Sequence, residues 1–152
     1  MNMDKINKML KTEMENPEAE DTGIDAYICS PYRADKTEGL QANIKAAKDY
    51  CRYALVQGYS PICSHLFFTQ FLDDRKPEER ALGLALGKRC IDFADVFFVF
   101  LNADRIISEG MQEEIEYAQS KGKAIKFITQ TEVAAALKEA KPKAAAKKTP
   151  AK

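Results

Sequence analysis

Three glutamates crowd one helix start in the segment SEGMQEEIEYA, residues 108–118, and helix phase separates the one that could do chemistry from the other two. The segment follows an apolar run, Val96–Leu101, that reads as a buried strand, and the loop 102–107 joins them. Gly110 and the acidic turn therefore lie just past the C-terminal end of a strand, where open α/β sheets bind ligands. Met111, Ile115 and Ala118 recur at i, i+4 and i+7 and form the buried stripe. At about 100° per residue, Glu113 and Glu116 point to water, while Glu114 sits roughly 60° from the centre of that stripe. A half-buried carboxylate at this place can act as a nucleophile or as a general acid or base. Acids in a first turn also favour the positive end of the helix dipole as plain solvated charges, so spacing alone leaves both readings open.

A second group of polar residues follows the strand at 25–30, in the string SPYRAD. Ser30, Tyr32 and Arg33 leave that strand directly, and a guanidinium with a hydroxyl and backbone amides near a helix start makes a phosphate cradle. Arg33 could equally pair with Asp35 at the surface. There is no G-x-G-x-x-G and no Walker lysine motif, so dinucleotide and P-loop readings fail. Asn43, early on the next helix, either looks into the cleft or is solvated. His65, the single histidine, follows the second strand, either facing a site or packed and hydrogen-bonded. Phe67, Phe68 and Phe71 could stack a base or cover the core. Asp73 and Asp74 read as caps for the next helix. Asp95 precedes its strand, on the opposite rim of the sheet, and reads as structural. One histidine and four dispersed cysteines, Cys29, Cys51, Cys63 and Cys90, cannot build an ordinary transition-metal site, and no cofactor is implied.

The elements that must position these residues alternate regularly. The pattern predicts a short helix over 5–14, a Pro-containing acidic linker over 13–21, and a strand over 25–30 stopped by Pro31. A helix follows over 40–57, ended by Gly58, then a strand over 59–63 and an aromatic loop with a helical turn over 64–74. A helix over 77–93 starts on Pro77. The strand at 96–101 leads to a helix over 110–120 with Gly122 as its C-cap, a strand over 124–128 and a last helix over 132–140. Alternating βα units imply a parallel sheet of about four to five strands with helices on both faces. Right-handed crossovers favour the flavodoxin-like (Rossmann-like) order 2-1-3-4. In that order the loops after the first and third strands diverge at a switch point, so SPYRAD and the Glu114 segment converge.

The chain of 152 residues suits one main α/β domain, residues 22–140, preceded by the helix and linker of 1–21. No stretch approaches a membrane span, no signal peptide is apparent, and the dispersed cysteines fit a reducing cytoplasm. The formal charge is zero, yet residues 141–152 hold five lysines and no acid, so the rest carries −5, from 18 basic and 23 acidic residues. A Lys/Ala/Pro tail of this kind cannot bury a core and should be disordered. It could touch nucleic acid weakly, but the body offers no basic surface to extend such a contact.

Several strings together resemble the nucleoside 2-deoxyribosyltransferase-like superfamily, and within it a branch of short, uncharacterised bacterial and phage proteins. They are YICSPYR at 27–33, Asn43, PICSHLFFTQFLDD at 61–74, ER-x-x-G at 79–83, ADVFFVF at 94–100 and ISEGMQEEIEYA at 107–118. The resemblance implies that Glu114 is the nucleophile, although Glu116 stands where the superfamily's helix motif has glycine. It implies a nucleotide or nucleoside as ligand, paired subunits, and a 5′-phosphate held by Ser30 and Arg33, with Tyr32, Asn43, His65, Ser108 and Gly110 in the pocket. Transferases of the superfamily place an aspartate at the position of Ser108 and complete the sugar pocket with a neighbour's C-terminal segment, where this chain has its lysine tail. The expectation is therefore an N-glycosidase acting on a (deoxy)nucleoside 5′-monophosphate. The alternatives are a base-exchanging deoxyribosyltransferase and a non-catalytic nucleotide sensor.

Deleting residues 141–152 should leave unfolding free energy within a few tenths of a kcal/mol, since a solvated tail buries nothing. A chemical denaturation curve with an unshifted midpoint is the expected result.

Overall fold

The computed structural model describes residues 3–4 and 23–140. The expected N-terminal helix and linker, and the basic tail, lie outside the described residues. Four strands, β1 (Asp25–Cys29), β2 (Ser60–Ile62), β3 (Val96–Leu101) and β4 (Ala124–Thr129), form one parallel sheet in the order β2-β1-β3-β4. This is the flavodoxin-like arrangement that the βα alternation predicts.

The two central strands carry the uncharged buried runs, 26–29 in β1 and 97–100 in β3, as burial on both faces demands. Their side chains divide between two cores. Ala26, Ile28, Phe98 and Phe100 pack with Ile128 against helices α1 (Thr37–Val56) and α5 (Gln130–Glu139), through Tyr50, Tyr53 and Val133. Tyr27, Cys29, Phe97 and Val99 face helices α3 (Pro77–Phe93) and α4 (Glu109–Ser120), through Ile91, Met111, Ile115 and Ala118. The stripe that fixes the phase of α4 is thus the buried one. The edge strand β4 buries only Ile128 fully.

Differences from the expected boundaries have local causes. Helix α1 begins at Thr37 rather than Leu40, and Gly39 lies in its first turn. A Cβ on Gly39 would come within 2.8 Å of Ala34 Cβ, because the loop after β1 runs against the helix start. The aromatic segment contains a short helix, α2 (Ser64–Phe68). Helix α4 starts at Glu109, capped by Ser108, whose hydroxyl accepts a hydrogen bond from Met111 N at 3.3 Å. Helix α5 starts two residues early because Thr129 and Glu132 form a reciprocal capping box at the end of β4. Gly58 and Gly122, with φ of 87° and 67°, turn the chain after α1 and α4. No described helix is long and apolar enough to cross a membrane.

Candidate active site

The loops after β1 and β3 part at the C-terminal edge of the sheet and open a cavity of about 490 Å³, within the range of small-molecule sites. Ser30, Tyr32 and Arg33 come from the first loop, and Ser108, Gly110 and Glu114 from the start of α4. His65 and Phe68 enter from α2, and Arg80 and Gly83 from α3. Among the described residues no group of three His, Cys, Asp or Glu side chains is gathered to hold a metal ion.

Glu114 is half-buried and firmly held. The Tyr27 hydroxyl donates to its Oε1 at 2.8 Å, while the nearby Cys29 thiol points to the carbonyl of Met111. Tyr27 is fully buried, its ring stacked on Phe97 with centroids 5.3 Å apart and planes 7° from parallel. Strand register produces that stack, since Tyr27 and Phe97 are paired neighbours. Tyr27 Oη also lies 2.6 Å from Ser64 Oγ. A phenol has one hydrogen, and Tyr27 gives it to Glu114, so Ser64 donates to Tyr27. Burial, and next the Glu114 charge, hold the Tyr27 hydroxyl well above its usual range, so it stays a donor. Burial raises the Glu114 pKa to about 7, the Tyr27 hydroxyl and the Cys29 thiol pull against that rise, and the neighbouring Glu113 charge adds to it. Gly87 of α3 makes room for the cluster: a Cβ there would lie 3.3 Å from Ser64 Oγ, 3.4 Å from Tyr27 Oη and 3.7 Å from Glu114 Oε1.

His65 sits 3.4 Å from Ser30 Oγ through Nε2, with its ring 5.2 Å from that of Tyr32. Burial lowers its pKa to about 4. It is therefore a neutral hydrogen-bonding group at neutral pH and offers no positive charge to a ligand.

Of the eight residues expected in the site, seven line the cavity: Ser30, Tyr32, Arg33, His65, Ser108, Gly110 and Glu114. Asn43 does not. Its side-chain amide turns to the back of the first loop and donates to the carbonyls of Tyr32 at 3.0 Å and Arg33 at 3.3 Å. Arg33 pairs with Asp74 at 3.2 Å, and not with the adjacent Asp35. Asp73 and Asp74 do not cap α3, whose N-cap is Lys76 without a side-chain bond; Asp73 instead binds Arg75 through both oxygens at 2.8 and 2.9 Å. Asp95 does lie at the far rim, accepting from Asp25 N at 2.8 Å. Tyr27, Ser64, Asp74, Arg80 and Gly87 went unnoticed as site residues. Tyr27 had a signal, a polar-tipped side chain in a central strand. Gly87 marks where α3 approaches Tyr27 of the sheet, whereas the Gly83 position faces Leu72.

The sheet order defines a flavodoxin-like α/β domain with a cavity at its switch point. Residues 25–128 match the family described as Domain of unknown function (DUF7768), and the chain belongs to that family. No curated protein matches it. Among solved structures it is similar to a 2-deoxyribosyltransferase from the psychrotolerant bacterium Bacillus psychrosaccharolyticus, with 14% identity and a TM-score of 0.53 over 69% of this chain and 72% of that one. This is a likeness of fold, and it carries no phage association.

The raised pKa of Glu114 has a measurable sign. A carboxyl whose folded pKa exceeds its unfolded value contributes stability in full below about 4.5, and that stability is lost as pH rises through about 7. Glu114→Gln has no such loss. Relative to wild type, the variant should gain on the order of 2–3 kcal/mol above pH 8 and nothing near pH 4. His65 titrates alike in both proteins, so the difference between their melting curves across pH isolates Glu114.

Proposed function

We propose that the protein cleaves the bond between base and sugar in a deoxynucleoside 5′-monophosphate, with Glu114 as nucleophile. A carboxylate oxygen attacks the anomeric carbon, and the carbon–nitrogen bond breaks with its electron pair leaving on the base. Water then attacks the same carbon, which frees Glu114 and releases the sugar phosphate. The observation that carries this reading is the Glu114 carboxyl itself. It is half-buried in a ligand-sized cavity, oriented by the Tyr27 hydroxyl, and has its pKa raised to about 7 by burial. A group so poised is a sign of function more than of packing. The fold likeness to a deoxyribosyltransferase supports glycosyl chemistry of this general kind. Ser30 and Arg33, on the first loop, would hold the phosphate, and Tyr32 and His65 would border the sugar or base.

Base exchange is the second reading, favoured by the neighbour's printed activity. Against it, the position where such transferases carry an aspartate holds Ser108, which is occupied in capping α4. Incubation with deoxynucleosides and their 5′-monophosphates separates the readings. Free base released from monophosphates alone supports the hydrolase, release only with an acceptor base supports the transferase, and binding without release indicates a sensor.

Glu114→Gln should abolish base release and leave ligand affinity nearly intact, because the amide keeps the shape but cannot attack. Unchanged turnover would remove Glu114 from the mechanism.

Arg33→Ala should weaken a 5′-monophosphate about 10- to 150-fold, the loss of a charge-assisted pair of roughly 1.5–3 kcal/mol, and should barely alter the matching nucleoside. Calorimetric titration of both ligands into both proteins gives the four affinities. Equal losses would mean that Arg33 shapes the loop and does not read phosphate.

A further inference from the structure

Arg80 is the one polar side chain of the cavity wall left with an unanswered buried donor. Its Nη1 is buried and has no hydrogen-bond partner among the described residues. The nearest carboxylate oxygen, Asp74 Oδ2, is 3.8 Å away, too far for a hydrogen bond. Leaving a charged donor buried and unsatisfied is costly, and such groups in folded proteins call for a missing partner. The same Asp74 oxygen meets Arg33 Nε at 3.2 Å, so two guanidinium groups, one from the β1 loop and one from α3, converge on a single carboxylate. The other charges of this corner are already matched: Asp73 with Arg75, and Glu79 with Lys76 at 3.0 Å. Asp35 and Glu109, which also line the cavity, are exposed.

We infer that Arg80 and Arg33 form a two-guanidinium site for an oxyanion, in which Arg80 Nη1 takes one oxygen of the ligand and Asp74 holds the two arginines in place while the site is empty. The guanidinium fork suits a tetrahedral phosphate better than a point charge does. Helix α3 also supplies a ruler. Arg80 and Gly87 are seven residues apart on one helix, hence on nearly one face and separated by about 10 Å along its axis. Gly87 adjoins Glu114 Oε1. The backbone positions of Arg80 and of the Glu114 contact are thus two turns apart along one wall of the cavity. Only the naming of the anion as a nucleotide's phosphate rests on the glycosyl-transfer reading; the anion site stands on its own distances.

Inorganic phosphate titrated calorimetrically into the full chain tests it. The wild type should bind. Arg80→Gln should bind about 10-fold or more weakly, and Asp74→Asn should bind several-fold more tightly, because the internal competitor is gone. A purely structural Arg80–Asp74 pair predicts instead a lower melting temperature for both variants and no gain for Asp74→Asn. Should Arg80→Gln fail to fold, the side-chain 15N resonance of Arg80 in the wild type should move on phosphate addition, with saturation matching the calorimetry. No phosphate binding by the wild type, an unaffected Arg80→Gln, an unmoved resonance, or an Asp74→Asn affinity at or below wild type would each overturn the inference. Base release assayed on the same proteins keeps the two readings apart. Phosphate binding that depends on Arg80, with no base released from any substrate, sinks the glycosidase and leaves the anion site. Base released from free nucleosides, with no phosphate bound, does the reverse.

Discussion

The hydrogen bond from the Tyr27 hydroxyl to Glu114 Oε1 joins the centre of the sheet to the start of α4, and most of the site depends on it. A carboxylate taken out of water needs a donor, and here it comes from a fully buried residue of a central strand. Tyr27 is stacked on Phe97 of the adjacent strand, and both face the core shared with α3 and α4. A slip of one residue in β1 would turn Tyr27 to the other face and bring Ala26 or Ile28 in its place, leaving Glu114 without its principal partner. Strand register and the state of the carboxyl are therefore one property. Ser64 extends the same chain of bonds to α2, which ties the aromatic segment to Glu114.

Electrostatically the cavity has two unlike regions. Around Glu114 burial dominates, the Glu113 charge adds to it, and the proton is retained into the neutral range. Around Asp74 two arginines share one carboxylate. A ligand carrying an electrophilic carbon and an anion on one short frame suits such a division better than one uniformly charged. His65, kept neutral by burial, lines the cavity without disturbing either region.

Much of this frame can be read along the chain, because the signals involved are local or periodic. Four βα units with right-handed crossovers leave few strand orders, of which 2-1-3-4 is favoured. The spacing of Met111, Ile115 and Ala118 fixes which way Glu114 points, and Pro77 marks the first turn of α3. What escaped is what depends on contacts between distant segments. Tyr27 lies 87 positions from Glu114, and nothing in its own strand says that a carboxylate waits above it. Asp74 looked like a helix cap by proximity to α3, but it pairs with side chains, Arg33 of the first loop and Arg80 of α3 itself. Asn43 was assigned the right end of the right helix, but a rotamer facing the loop carbonyls cannot be read from a sequence. The start of α5 was misplaced because Thr129 both ends β4 and caps the helix.

The bracing of the first loop by Asn43 has a kinetic meaning. One side-chain amide ties down two consecutive carbonyls, and the contact between Ala34 and the glycine turn of α1 closes the loop from the other side. Backbone freedom that a mobile loop would lose on meeting its ligand, about 1–2 kcal/mol per residue, is here already lost when the chain folds. Ligand capture then resembles the filling of a preformed mould, and differences in affinity among ligands should lie in how fast they escape and not in how fast they arrive.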